Sequence, residues 1–453
     1  MNTLAEKAWI NISQKIDPKY FYISFQESPT SYYPHYLELR LNEWINQYRH
    51  IYEEIEPILT LHNTAVIDIS PEHLLLISQK IVNTVVLYYE GQIQNALTLF
   101  SEAMTGLFFV GTKSTLQIEK NTSFYRTRRS EERYFKNFDL FHVPFENRSY
   151  VSTARYSIPG FPALYLADST YTCWEEYGKY RLRDLNFSRF ENQEPVNVVN
   201  IQLFNDFLSS LVNIDNSDKI ALLQNYIVTF PLILACTCKV TNANGHFKPE
   251  YIIPQLLLQF VTANTTIDGI KFPSTKINYN NLKNVNSYNY VFPIKQNKPK
   301  GYCNRLKEMF QCTEPISLEL NEILSNPSSP RAFIYDSSFT DGKSIEIISG
   351  IKSNYDETSF GKIESILKKM LTKKVEEYIE VILATYYTNK ISRDVTEEVI
   401  KKITNNGLKF IVSNDLVNDQ GYDYGTIKHF SISYTVNGVE KVQHLREGDI
   451  FEA

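Results

Sequence analysis

The stretch "RYSIPGFPALYLADSTYTCWEEYG", residues 155–178, combines a strand-like apolar run with many polar and aromatic side chains. Successive side chains alternate faces along a strand, so Tyr165 in "ALYLA" lies on the opposite side from Leu164 and Leu166. Tyr165 can therefore face a cleft, or it can be an ordinary core tyrosine. A helix is expected to start near Thr170, and its outer face would carry charged side chains.

Length and composition limit what the whole chain can be. With 453 residues, it is too long for one ordinary core, and two or three domains are expected. Its 43% hydrophobic and 21% charged residues are typical of a folded protein. A formal charge of −5 argues against a nucleic-acid partner. The first residues show no leader pattern and no stretch has 18 consecutive apolar residues, so a cytoplasmic protein without a membrane partner is expected.

Residues 1–112 are predicted to form a helical N-terminal region. Apolar side chains recur at spacings of three and four, as at Trp44 and Tyr48, which is typical of one helix face. Ser70 is a plausible N-cap with Pro71 at the first helical position. This region suggests packing or partner binding rather than catalysis.

Residues 113–372 alternate short β-branched and aromatic runs with helical ones, which favours a mixed α/β or α+β domain. Four runs are predicted as candidate strands: "PVNVVNIQLF", "PLILACTCKV", "YIIPQLLLQFV" and "KNVNSYNYVFPI". In the second, a strand would place the thiols of Cys236 and Cys238 on one face. The run "FGKIESILKKMLTKKVEEYIEVILATYY" is predicted to be one charged helix.

Residues 378–453 are predicted to form a small β-rich domain appended to the rest. Two alternating strands flank Asn437-Gly438, the most favourable dipeptide for a tight hairpin. A further strand is expected in "NNGLKFIVSNDL". The overall fold class predicted is α+β, with a mixed α/β domain at its centre.

Four blocks of the central region, in the right order, resemble the RES domain family. The family's opening arginine motif resembles "FYRTR", with Tyr125 and Arg126, and its longest block resembles "RYSIPGFPALYLADS". The following glutamate motif is similar to "TCWEE", and the late serine motif resembles "DGIKFPS", which ends at Ser274. Counting from Tyr165 without a gap assigns the family's glutamate to Glu176 rather than to its neighbour Glu175.

The resemblance implies an ADP-ribosyltransferase-like fold and an enzyme that degrades NAD+ by hydrolysis or phosphorolysis of the nicotinamide–ribose bond. It also implies a toxin held by an antitoxin, with the flanking regions as candidates for restraint or triggering. NAD+ would be the substrate, no separate cofactor is expected, and a homodimer is a reasonable expectation. Transfer of ADP-ribose to a macromolecule and a non-catalytic NAD-binding module remain as alternatives.

The residue types suit such a reaction. Arginine suits a pyrophosphate, and the candidates are Arg126 and Arg155, although Arg126 could equally be a structural ion-pair partner. Cleavage of the glycosidic bond builds positive charge on the ribose, which Glu176 could stabilise unless it merely faces solvent on a helix.

The remaining candidates are assigned to binding. Tyr165 could stack on a flat cationic ring, with Tyr125 as a second candidate. Ser274 is expected to hydrogen-bond phosphate, ribose or the glutamate, because the nearest possible bases, His142 and His246, are not obvious partners. We therefore predict Arg155, Glu176 and Ser274 as catalytic, Tyr125, Arg126 and Tyr165 as substrate-binding, and a metal-free site.

Overall fold

The structure is a computed structural model that carries all side chains. It describes residues 4–17, 21, 32–60, 67–108, 115–129, 135, 139–242, 244–285, 287–318, 342–348, 350–370, 379–404, 407–419, 421–436 and 439–452. The predicted domain boundaries at 112–113 and 372–378 lie outside these residues, so they stay predictions.

The N-terminal region is helical, as predicted. Its helices are α1 (Leu4–Lys15), α2 (Tyr33–Thr60), α3 (Pro71–Tyr89) and α4 (Ile93–Phe108). The start of α3 is confirmed, because the Ser70 side chain accepts a hydrogen bond from the main-chain N–H of His73 at 3.3 Å. Between α3 and α4 the chain turns at Gly91, where φ is +76°.

A mixed sheet forms the centre of the molecule, which confirms the α+β class. The strands in chain order are β1 (Thr115–Ile118), β2 (Ser123–Arg129), β3 (Ala163–Ala167), β4 (Leu185–Asn192), β5 (Val196–Asn200), β6 (Gly269–Pro273), β7 (Leu282–Lys283), β8 (Tyr288–Pro293), β9 (Phe310–Cys312), β10 (Ile316–Ser317), β11 (Ser344–Ile348) and β12 (Ile351–Asn354). Within the described residues the central sheet runs β1-β5-β6-β8-β3-β2-β4-β10, with β9 also paired to β4. The pair β5–β6 is parallel and its neighbours are antiparallel.

Helices cover this sheet. They are α5 (Thr170–Tyr177), α6 (Phe204–Ser210), α7 (Asn216–Thr237), α8 (Ile252–Ala263), α9 (Asn304–Met309) and α10 (Ser359–Lys369). Two of the four predicted strands were wrong, since "PLILACT" ends α7 and "IIPQLLLQFV" forms most of α8. Both runs consist mainly of apolar residues, and a short run of this kind fits a buried helix as well as a strand. Cys236 therefore lies in a helix and Cys238 caps its end.

One continuous apolar core joins the N-terminal helices to the sheet. Trp44 and Phe230 have ring centroids 4.6 Å apart, which links α2 to α7. On the other side of α7 and α8, the same cluster includes Ile270 of β6 and Val291 of β8. Helix α7 is long and apolar enough to cross a membrane by composition, but 89% of its most apolar window is buried inside the protein. Such burial is typical of the central helix of a globular core.

The charged helix predicted over 360–387 was wrong in its second half. Helix α10 ends at Lys369, and the sequence "IEVILATYY" forms a strand, β13 (Ile379–Tyr387). This segment forms a strand and not a helix because it is rich in β-branched residues and pairs with the strand His429–Val436.

The C-terminal region is β-rich, as predicted. It continues with β14 (Ser392–Asp394), α11 (Thr396–Ile400), β15 (Ile403–Thr404), β16 (Gly407–Ile411), β17 (His429–Val436), β18 (Val439–Arg446) and β19 (Ile450–Glu452). The predicted hairpin is confirmed in its strands, since β17 and β18 pair from His429 with Arg446 up to Val436 with Val439. Its turn residues, Asn437 and Gly438, lie outside the described residues.

Candidate active site

Helix α5 carries the two adjacent glutamates and orients them differently. It begins where the Ser169 side chain accepts a hydrogen bond from the main-chain N–H of Thr172 at 3.1 Å. It ends at Gly178, whose φ of +100° favours glycine. Successive residues of an α-helix are rotated by about 100°, so Glu175 and Glu176 cannot face the same surroundings.

Glu175 makes its contacts within and just beyond its own helix, and its role there is structural. It is buried, its Oε1 accepts a hydrogen bond from the Tyr171 hydroxyl at 2.7 Å, and its Oε2 lies 3.1 Å from Nζ of Lys179. Its carboxylate is therefore engaged on its own helix and at the end of that helix.

Glu176 instead reaches across to the sheet. Its Oε1 accepts a hydrogen bond from the side-chain amide of Asn289, on β8, at 2.8 Å. Its Oε2 lies 3.3 Å from Nζ of Lys276, and its side chain is 32% exposed. A carboxylate that is fixed by a buried amide and still open to solvent can meet a ligand without large rearrangement.

Arg126 lies on β2, next to the short contact between β2 and β3. Strands β2 and β3 meet at a single register pair, Tyr125 with Ala167, and Nη1 of Arg126 donates to the main-chain oxygen of Tyr165 at 3.1 Å. Burial, reinforced by the nearby positive charge of Arg128, lowers the pKa of Arg126 to about 10. The guanidinium still carries its charge at neutral pH.

Tyr165 and Arg155 belong to the same neighbourhood. The Tyr165 hydroxyl lies near Ser157, and burial raises the pKa of Tyr165 while the positive charge of Arg126 opposes the rise. Arg155 donates from Nη1 to the main-chain oxygen of Cys236 at 3.2 Å and from Nη2 to Oγ1 of Thr275 at 3.3 Å. Arg155 thus ties the end of α7 to the segment that follows β6.

Tyr125 is not brought to this group. It is buried under α5 and packs in an apolar cluster with Cys173, Leu185 and Phe187. Burial raises the pKa of its hydroxyl, and the negative charge of Glu364 adds to the rise. These contacts are those of a core residue.

Ser274 holds a turn beside the site. It is fully buried, its Oγ accepts a hydrogen bond from the main-chain N–H of Lys276 at 3.2 Å, and its main-chain oxygen accepts one from Tyr279 at 3.1 Å. Its hydroxyl therefore bonds to its own turn and not to Glu176. The turn that Ser274 holds places Nζ of Lys276 3.3 Å from Oε2 of Glu176.

Neither histidine is arranged as a base for Ser274. Nδ1 of His142 lies 2.8 Å from the main-chain oxygen of Val143, and its Nε2 accepts a hydrogen bond from the N–H of Cys303 at 2.9 Å. Burial lowers the pKa of His142 to about 4, so it is neutral and structural. His246 is exposed in the loop after α7.

Three residues of the site were not predicted from the sequence: Asn289, Lys276 and Tyr251. The ring centroid of Tyr251 is 5.2 Å from the guanidinium carbon of Arg155, and burial raises the pKa of its hydroxyl. Tyr251 lies in the "YIIPQ" run, and Asn289 is a polar residue in a buried strand. Either pattern could have drawn attention to them.

Over the described ranges, no three His, Cys, Asp or Glu side chains are close enough to hold a metal ion. The metal-free site stays a prediction. What the geometry provides is a fixed carboxylate, two arginines and two aromatic rings in one neighbourhood beside the mixed sheet.

Comparison with known proteins agrees with this architecture. Residues 123–301 match the model of the RES domain, and this chain belongs to that family. The chain is 34% identical over 306 residues to a curated protein of Bacillus subtilis (strain 168) named "Putative toxin YopC". The matched part makes up 64% of this chain and 67% of that protein. No solved structure matches this chain.

Proposed function

We propose that this protein degrades NAD+ by cleaving the bond between nicotinamide and ribose. The observation that carries the proposal is the Glu176 carboxylate, which is fixed by Asn289 at 2.8 Å and still partly exposed to solvent. Membership of the RES family supports the same reaction class.

The chemistry needs one well-placed carboxylate. As the C1′–N bond breaks, its electron pair leaves with nicotinamide, which departs neutral, and positive charge develops on the ribose. The negative charge of Glu176 stabilises that transition state electrostatically. Water then adds to C1′ and releases a proton to give ADP-ribose, or phosphate adds to give the ribosyl phosphate. Because nicotinamide is a good leaving group in its cationic form, a second carboxylic acid is not required.

The surrounding side chains suit the rest of the substrate. Two Arg155 nitrogens bind Cys236 and Thr275, and a guanidinium has five N–H donors, so further donors remain for phosphate oxygens. Arg126 supplies a second fixed positive charge near Tyr165. The rings of Tyr165 and Tyr251 are candidates for packing against the nicotinamide or the ribose.

A toxic role in the cytoplasm follows from this reaction, because NAD+ is a central metabolite of that compartment. The relative named as a putative toxin supports it. An antitoxin or regulatory partner is part of the proposal, since a cell that makes such an enzyme must restrain it.

The test is to incubate the purified full-length protein with NAD+, with and without phosphate, and to follow nicotinamide release. Glu176→Gln should lose most of the activity because the amide lacks the stabilising charge. The matched control is Glu175→Gln, on the same helix but engaged with Tyr171 and Lys179. It should keep the wild-type rate.

Mass spectrometry of the products identifies the acceptor. Free ADP-ribose indicates hydrolysis, and a ribosyl phosphate indicates phosphorolysis. A modified protein or nucleic acid would replace the proposal with ADP-ribosyl transfer. Binding of NAD+ without nicotinamide release would replace it with a non-catalytic module, and wild-type activity in Glu176→Gln would show that the carboxylate is misassigned.

A further inference from the structure

A segment outside the family-matched residues 123–301 packs against two parts of the site, which we call its walls. The first wall is helix α5, which carries Glu176, and the second is the turn after β6, which carries Lys276. The segment runs from β11 through β12 and one short helical turn, Tyr355–Glu357, to α10. Strand β11 pairs with β7, with Ile345 opposite Leu282, and β7 lies in the segment that follows Ser274 and Lys276. Helix α10 packs against α5, the helix of Glu176.

Helix α10 contacts α5 through a buried carboxylate, which lies at the N-terminal start of α5. Glu364 is 8% exposed, and its Oε1 accepts hydrogen bonds from the main-chain N–H of Thr170 at 2.8 Å and from Oγ1 of Thr170 at 3.1 Å. The same oxygen accepts a third from the Tyr355 hydroxyl at 2.6 Å. The first N–H groups of a helix have no partner within it, and negative charge is favourable there. Glu364, which belongs to α10, therefore fixes the N-terminal end of α5.

An apolar cluster binds the second wall to the same segment. Its members come from α5, from the turn after β6, from β11, from the helical turn before α10 and from α10 itself: Tyr171, Ile277, Ile345, Tyr355 and Phe360. Ile277 directly follows Lys276, whose Nζ lies 3.3 Å from Oε2 of Glu176. The segment thus touches the helix that carries Glu176 and the turn that carries its cationic neighbour.

We propose that β11, β12 and α10 form a clamp that holds these two walls in register, with Glu364 as the positioning residue for α5. The kinetic part of this inference rests on the function proposed above. Glu364 does not meet the substrate. It sets where the Glu176 carboxylate lies, and a misplacement of about 1 Å at a reacting group can cost about 100-fold in rate.

The test uses the full-length protein and four variants, Glu364→Ala, Glu364→Gln, Tyr355→Phe and the control Glu357→Gln. In Glu364→Ala, kcat for nicotinamide release should fall by about 10- to 100-fold with KM within about threefold of wild type. Glu364→Gln keeps an acceptor oxygen for Thr170 and should lie between wild type and alanine. Tyr355→Phe removes one hydroxyl and should lower kcat several-fold. Glu357 belongs to the same segment but is exposed, so its variant should match wild type.

A second measurement does not depend on catalysis. Amide hydrogen exchange in a peptide covering residues 168–178 should become about tenfold faster in Glu364→Ala, because the anchor of the first turn is lost. The fluorescence of Trp174, whose ring centroid is 5.4 Å from that of Phe360, should change in parallel.

The outcomes separate the clamp from the reaction. Wild-type kcat and unchanged exchange in Glu364→Ala would overturn the clamp alone. If Glu364→Ala does not fold, unchanged exchange and kcat in both Glu364→Gln and Tyr355→Phe would overturn it. If the wild-type protein releases no nicotinamide, the proposed reaction fails, and faster exchange in the variants would still support the clamp.

Discussion

Replacing Asn289 by alanine tests how the Glu176 carboxylate is held. The Asn289 amide donates to Oε1 of Glu176 at 2.8 Å and is itself buried on β8. The other partner, Lys276, has a side chain that is 53% exposed, and an ion pair open to solvent contributes little. Asn289 is therefore the group that sets the direction of the carboxylate.

The size of the effect follows from the type of bond. A hydrogen bond to a charged group contributes about 1.5–3 kcal/mol. Each 1.4 kcal/mol or so of lost transition-state stabilisation costs a factor of about ten in rate. We expect kcat of Asn289→Ala to fall by about 10- to 150-fold, with a smaller change in KM because the substrate's phosphate contacts remain.

The assay is nicotinamide release at saturating NAD+, with a thermal melt of each protein to show that it is folded. Asn205→Ala, at an exposed position of α6, serves as the control and should match wild type. If folded Asn289→Ala turns over within about twofold of wild type, the argument that this amide orients the carboxylate is refuted.

Two further predictions concern stability. In Gly269→Ala, the added Cβ would lie 2.6 Å from the main-chain oxygen of Val291, so overpacking should cost about 1–3 kcal/mol in a thermal melt. Gly106→Ala, where nothing lies within 4 Å, is its control and should not lower the melting temperature. His142 stays neutral when folded, because burial lowers its pKa to about 4 from 6.5. The unfolded chain takes up the proton first, so as pH falls from about 6.5 to 4 the unfolding free energy should drop by up to about 1.4 kcal/mol per unit. Urea unfolding should show this drop in wild type, and the same drop in His142→Gln would contradict the assignment.

The sequence predicts best where local pattern and tertiary surroundings agree. Ser70 and Pro71 mark the start of α3, and the alternation in "ALYLA" and the helix expected near Thr170 correspond to β3 and α5. Separation of the neighbouring glutamates also has a local cause, the rotation of about 100° per helical residue.

Prediction from the sequence fails where a segment is so deeply buried that the alternation of polar and apolar residues is weak. The second half of α7 and most of α8 are rich in apolar residues and short, so their pattern does not clearly distinguish a buried helix from a buried strand. The partners of Glu176 were missed for another reason: Asn289 and Lys276 lie 113 and 100 residues further along the chain. Only the tertiary fold, in which α5 packs on β2 and β3 and β3 pairs with β8, brings them together, and no single-sequence pattern encodes that proximity.

The shared core between the N-terminal helices and the sheet limits how the proposed activity can be restrained. Phe21 stacks on Phe204 with ring centroids 4.2 Å apart, and Trp44 packs on Phe230. Proteolytic release of residues 1–108 would strip the apolar outer faces of α7 and α8 and leave a protein prone to aggregate. The N-terminal helices are therefore an integral part of the folded core and not a detachable inhibitor of the proposed activity.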